Sequence, residues 1–212
     1  MKTVLCYGDS LTWGYDPVER GRHDLADRWP SALAAALGEG VHVIADGLNG
    51  RTTAFDDYTA DCDRNGVRTL PTALHAHAPL DLVVLMLGSN DMKPMLAGTA
   101  IAAAKGMRRL VELVQTHSWP MPYETPQVLV VSPPPLVPTA DPDFAAMFAG
   151  GVPEADMLAS FYADLADETG AAFFDAGSVA RCSAIDGVHL DAENTRAIGR
   201  GIAPVARLLL GL

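Results

Sequence analysis

The sequence predicts an α/β fold, a three-layer α/β/α sandwich of about five parallel strands with helices on both faces. Two observations lead there. Short apolar runs rich in β-branched and aromatic residues recur along the chain, and each interval between them carries a helical pattern. Strands that alternate with helices need crossover connections, which are right-handed and set the strands parallel. A third observation concerns the run ends, where glycine and small polar residues repeatedly follow.

The predicted strands are Val4–Tyr7, Val41–Ala45, Leu82–Leu87, Val128–Ser132 and Ala172–Asp175. Each is a short, nearly continuous apolar run, as a strand buried on both faces requires. The first helix is Trp29–Leu37, rich in Ala and Leu after Asp27. Val67–Ala78 and Ala100–His117 follow, the second carrying Met107, Leu110, Val111 and Val114 at helical spacing. Ala155–Thr169 ends at Gly170, a C-terminal cap. The last helix runs from about Ala192 to Leu209, with Asp191 as its N-cap. The outline is flavodoxin-like. The stretch from Ser132 to Pro153 breaks the pattern with six prolines, Phe144, Met147 and Phe148. It reads as one long loop, either a functional or interface element or a loop packing its own apolar side chains on the core.

Bulk properties narrow the function. With 212 residues, 49% hydrophobic and 19% charged, the chain suits one globular domain over 1–212. A net charge of −11 repels phosphate backbones and anionic membranes, so no nucleic-acid or membrane partner is expected. No apolar run approaches the length of a membrane span. Met1-Lys2-Thr3-Val4 enters a strand at once and lacks a signal-peptide layout. Cys6, Cys62 and Cys182 show no CxxC spacing, so a reducing, cytoplasmic location is expected.

Four stretches fall at or just after strand ends: Gly8-Asp9-Ser10-Leu11-Thr12-Trp13-Gly14, Asp46-Gly47-Leu48-Asn49-Gly50-Arg51-Thr52, Gly88-Ser89-Asn90-Asp91 and Asp186-Gly187-Val188-His189. In a parallel sheet all strand carboxyl ends share one edge, so the four converge there. Together they make a chemical set. Ser10 needs a base to take its proton, and histidine, here His189, is the side chain suited to that near neutral pH. Asp186, three residues earlier, can hold one ring nitrogen while the other faces the serine. The Ser10 amide, the Gly50 amide and the Asn90 side-chain amide can serve as oxyanion donors, each commonly worth roughly a hundredfold in rate.

These four stretches resemble the four blocks of the SGNH (GDSL) hydrolase family, in the family's order. The resemblance implies Ser10 as nucleophile, Gly50 and Asn90 as oxyanion donors, His189 as base and Asp186 as its orienter. GDSLTWGY, GLNGRTT and Ser132-Pro133-Pro134-Pro135-Leu136 are most similar to the bacterial arylesterase and acyltransferase branch. That branch implies short acyl esters as small-molecule substrates, acyl transfer to alcohols or peroxide as a side activity, and oligomers. An acyltransferase of the branch has a non-glycine residue where this chain has Gly50; an amide is available in either case. A carbohydrate or lysophospholipid deacylase on the same triad is the alternative. A flavodoxin-like binding module without catalysis is the remaining one, since fold does not fix function.

Other residues have quieter expectations. Asp9 is read as a turn-stabilising acceptor. Trp13 is either a wall of the acyl pocket or core packing, and Asn49 and Asp91 flank the donors at the substrate pocket and can hold their loops. His75 and His77, two apart on a helix, face different directions, so no metal is expected there. Asp56, Asp57, Asp61 and Asp63 read as a solvated acidic face, without EF-hand spacing. No GxGxxG or Walker pattern occurs, so no cofactor is expected. The apolar 132–153 stretch and the tail Leu208-Leu209-Leu210-Gly211-Leu212 predict a homo-oligomer that covers them.

Overall fold

The structure is a computed structural model that describes residues 1–119 and 121–212. Strand β1 (Lys2–Gly8) leads into a one-turn helix α1 (Ser10–Trp13) and a small hairpin of β2 (Tyr15–Asp16) and β3 (Gly21–Arg22). Helix α2 (Trp29–Leu37), β4 (Val41–Gly47), α3 (Gly66–His77), β5 (Leu82–Met86) and α4 (Ala100–Gln115) follow. The chain closes with β6 (Gln127–Ser132), α5 (Pro142–Met147), α6 (Gly151–Thr169), β7 (Ala172–Asp175) and α7 (Ala192–Leu210).

Five strands form one parallel sheet in the order β4-β1-β5-β6-β7. The predicted sandwich is therefore observed, and its strand order is flavodoxin-like. Val4 lies opposite Val43 on one side and Leu82 on the other, which aligns the strand ends along one edge. Side chains alternate between faces. Leu5, Tyr7, Val83, Leu85 and Val130 point to the layer of α3, α4 and α6, where Leu74, Met107, Leu110 and Tyr162 are buried. Val4, Cys6, Val84, Met86 and Val131 point to α2 and α7, against Trp29, Leu33, Ile198 and Ile202.

Two boundaries differ from expectation for a physical reason. The stretch from Ser132 to Pro153 is not one irregular loop. Asp141 caps α5, its carboxylate accepting from the Asp143 amide at 3.0 Å and the Phe144 amide at 3.1 Å, and Pro142 occupies the first turn. Helix α6 begins at Gly151 and not at Ala155, because Pro153 sits in the first turn, where its missing N–H leaves no bond broken.

Candidate active site

The site lies at the carboxyl edge of the sheet, where β1, β4 and β5 deliver three of the four stretches. Gly8 ends β1 in a tight passage: a Cβ there would stand 2.1 Å from Thr12 Oγ1 and 2.6 Å from the Met86 carbonyl. Only glycine fits, and the chain turns at once into α1. Asp9 caps that turn, its Oδ1 accepting from the Leu11 amide at 2.9 Å. Ser10 is thereby the first residue of the turn, its side chain 6% exposed.

Residues 186–189 arrive from the other end of the chain, between β7 and α7. His189 Nε2 stands 2.8 Å from Ser10 Oγ. His189 Nδ1 stands 2.7 Å from Asp186 Oδ2. The second carboxylate oxygen, Oδ1, accepts from the amides of Val188 at 2.9 Å and His189 at 2.8 Å. A carboxylate acceptor at Nδ1 places a proton on that nitrogen, so Nε2 is left to accept from the serine hydroxyl. Burial pushes the Asp186 carboxyl up, but the His189 ring and the two backbone amides outweigh it and hold the group below the ordinary aspartate value. The imidazole is flanked by the Tyr15 ring, 4.2 Å away, and by the edge of Phe144 at 6.0 Å.

The second stretch is pinned by Arg51, a residue the sequence reading passed over. Its guanidinium donates to the carbonyls of Gly8 at 2.8 Å and Asp46 at 2.7 Å and to Asp46 Oδ1 at 2.9 Å. It also lies over the Tyr7 ring, 3.9 Å from the centroid. Arg51 so ties the ends of β1 and β4 together and presents Gly50. Gly50 has φ +82°, and a Cβ on it would meet the Arg64 side chain at 2.8 Å. Asn90 Nδ2 donates to the Arg51 carbonyl at 3.2 Å and to Asp9 Oδ2 at 3.3 Å, two long bonds that hold the side chain at the mouth of the site. Among the described residues the Ser10 and Gly50 amides donate to no protein acceptor.

A cavity of about 180 Å³ opens over these groups. Ser10, Asn49, Gly50, Asn90 and His189 line it, with Tyr15, Phe144, Met147, Phe148 and Val188 as its apolar wall and Arg64 and Lys93 as its cations. A larger cavity of about 230 Å³ shares Phe144, Phe148 and Val188 and reaches Asp186, but neither Ser10 nor His189.

Five expectations find their place here: Ser10, Gly50, Asn90, His189 and Asn49 all line the cavity, with Asp186 behind the histidine. Asp9 accepts as a turn former does. Two pocket expectations are corrected. Trp13 does not line the cavity; its indole packs against the Arg22 guanidinium of β3, 4.6 Å away. Asp91 is fully buried and off the cavity wall; it holds the second loop instead, accepting from the Thr53 amide and hydroxyl. In the acidic stretch Asp61 and Asp63 are exposed as expected and Arg68 pairs with Asp56 and Asp63, but Asp57 is not part of a solvated face: it pairs with Arg64 at 2.9 Å and its side chain is 4% exposed. His75 packs against His117, with ring centroids 4.7 Å apart. Among the described residues no cluster of His, Cys, Asp and Glu forms a metal site, and no helix is long and apolar enough to cross a membrane. Tyr15, Arg64 and Lys93 are site residues that the sequence did not single out, whereas Phe144, Met147 and Phe148 of the 132–153 stretch line the cavity. Tyr15 had one signal, its place immediately after Gly14; Arg64 and Lys93 had none.

A parallel sheet carrying a hydrogen-bonded Ser–His–Asp series at its carboxyl edge is the arrangement of a serine hydrolase. The model of the GDSL-like lipase/acylhydrolase family matches residues 6–196, and the chain belongs to that family. It is an ester hydrolase. The chain is 68% identical to a carbohydrate acetylesterase family member from Sinorhizobium meliloti, with 100% of each chain covered and a TM-score of 0.99. A second carbohydrate acetylesterase from Sinorhizobium meliloti is 45% identical, over 99% of this chain and 100% of that one, with a TM-score of 0.94. An aryl esterase from M. smegmatis is 44% identical over the same shares, also with a TM-score of 0.94. A comparison with curated proteins gives no match. Family membership sets aside the alternative of a binding module without catalysis.

Proposed function

We propose that the chain, as one domain over 1–212, hydrolyses short acyl esters through an acyl-enzyme on Ser10. The observation that carries this is the unbroken series Ser10 Oγ, His189 Nε2, His189 Nδ1, Asp186 Oδ2, with links of 2.8 and 2.7 Å, opening onto a small cavity. As Ser10 Oγ attacks the ester carbonyl, His189 Nε2 takes its proton. The carbonyl oxygen gains charge, which the Ser10 and Gly50 amides and Asn90 Nδ2 receive. The C–O bond to the alcohol breaks, and His189 returns the proton to the leaving oxygen. Water, deprotonated by the same histidine, then attacks the acyl-serine and releases the acid. Asp186 stays ionised throughout, orienting the ring and stabilising its positive form.

Acyl size follows from space. At about 180 Å³ the cavity is below the usual range of pockets for drug-sized ligands, roughly 300–1,000 Å³. Acetyl and similarly short groups fit that volume. Aryl and acetylated carbohydrate alcohols are both in keeping with the named neighbours, and the 68% identity of the first favours the carbohydrate esters. Acyl transfer to alcohols is a further part of this proposal, as are a homo-oligomer covering Leu208 and Met147, which are 80% and 39% exposed, and a cytoplasmic setting in keeping with three free cysteines. Hydrolysis of 4-nitrophenyl acetate by the wild type and Ser10→Ala tests the central claim. The variant is expected to fall to background; equal rates would refute it.

A further inference from the structure

Two cations line the cavity of an otherwise acidic protein. Lys93 lies just beyond the turn that carries Asn90 and is 9% exposed, and its ammonium has no hydrogen bond or ion pair among the described residues. Its ammonium stands 5.4 Å from the ring centroid of Phe148, which belongs to the same cavity. Arg64 is only half used: Nη1 donates to Asp57 at 2.9 Å, while Nε is buried with no acceptor. Burial first, and Arg64 second, push the Lys93 pKa down, while Asp57, Asp9 and Asp91 push it up without any of them reaching ion-pair distance. An ammonium on a cavity wall with no protein acceptor is free to take one from a bound ligand. The ordinary packing role, a lysine laying its stem on an aromatic ring, explains the Phe148 contact but not why two cations line one cavity of an acidic protein.

We infer that Lys93, with Arg64, forms an anion-recognition subsite beside Ser10, and that the preferred substrates are short acyl esters carrying a carboxylate. O-acylated hydroxy acids, acylated sugar acids among them, have this chemistry, as do half-esters of dicarboxylic acids. The inference rests on the proposed acyl-enzyme reading, since it places the anion relative to Ser10. A substrate carboxylate would accept from the ammonium and from Arg64 Nη2, which has no protein acceptor among the described residues, both charge-assisted bonds.

Matched ester pairs test it. The first pair, 3-acetoxybenzoate and 3-acetoxybenzamide, puts the charge in the alcohol; the second, monophenyl glutarate and phenyl glutaramate, puts it in the acyl group. The wild type is expected to prefer the carboxylate in at least one pair by about tenfold in kcat/KM, the scale of one hydrogen bond to a charged group. Lys93→Met is expected to bring that ratio near unity, Lys93→Arg to keep it, and added salt to reduce it. Ser10→Ala must abolish all four reactions; if it does not, the acyl-enzyme reading fails. Turnover of both members of each pair at equal rates by the wild type would overturn the subsite alone. If Lys93→Met does not fold, inhibition of 4-nitrophenyl acetate hydrolysis decides: stronger inhibition of the wild type by 3-hydroxybenzoate than by 3-hydroxybenzamide supports the subsite, and equal inhibition overturns it.

Discussion

Exchanging Asp186 for Asn changes one oxygen to an NH₂ group and removes one charge, with little change of shape. The Oδ1 bonds from the Val188 and His189 amides, at 2.9 and 2.8 Å, survive in the variant because the amide carbonyl can still accept them. The turn from 186 to 189 therefore keeps its form. The change falls on the 2.7 Å contact with His189 Nδ1. An amide NH₂ there can only donate, so the ring must carry its proton on Nε2 and accept at Nδ1. Nε2–H then faces Ser10 Oγ at 2.8 Å and cannot take the hydroxyl proton. The same exchange in the serine-protease triad, a worked case of this tautomer effect, lowers kcat about 10⁴-fold. By transition-state arithmetic that is about 5 kcal/mol. We expect kcat for 4-nitrophenyl acetate to fall by about that factor in Asp186→Asn, with a thermal unfolding midpoint close to the wild type. The oxyanion donors are untouched, so activity above background remains. A kcat within about tenfold of the wild type would refute the tautomer argument.

Other predictions follow from packing and charge. A Cβ on Gly106 would stand 2.0 Å from Thr53 Oγ1, which donates to buried Asp91; Gly106→Ala is expected to destabilise by about 1–3 kcal/mol, the usual cost of overpacking, measurable as a lower urea midpoint. Burial raises Asp91 to about 7 and Asp9 to about 6. Both folded values lie above the ordinary unfolded value, so the stability linked to them is full below about pH 4 and is lost as pH rises to about 7. Urea titrations are expected to show that decline, and Asp91→Asn to flatten part of it; an unchanged slope in the variant would remove Asp91 as a cause. Arg51→Met removes the clasp between β1 and β4 and leaves Asp46 and two carbonyls unmatched; breaking a largely buried pair costs about 3 kcal/mol or more, and a variant as stable as the wild type would contradict the role given to Arg51.

The legible parts of this protein are those that depend on local pattern. The three central strands show in the sequence because a parallel sheet buries both of their faces and leaves no polar alternation to confuse the run, and the half-buried edge strands β4 and β7 show by their β-branched and aromatic residues. Asp186 and His189 share one turn, so their spacing already carries their contact. Ser10, Gly50 and Asn90 follow from strand ends, since topology alone brings those together. Trp13 and Asp91 mislead for the same reason: being next to a site residue in sequence says nothing of which way a side chain points. Helix α5 is too short to show periodicity, although Asp141-Pro142 is a start signal in plain view. Arg64 and Lys93 belong to no motif, and their place in the cavity arises only when the loops after β4 and β5 fold over one another.

Ser10 and His189 meet across 179 residues of chain. Helix α7, which follows the base, packs its Ile198 and Ile202 in the same core as Trp29 and Leu33 of α2. The serine and its base are therefore brought together only in the folded chain, and the packing of α7 against α2 is what holds the two halves of the site in one core.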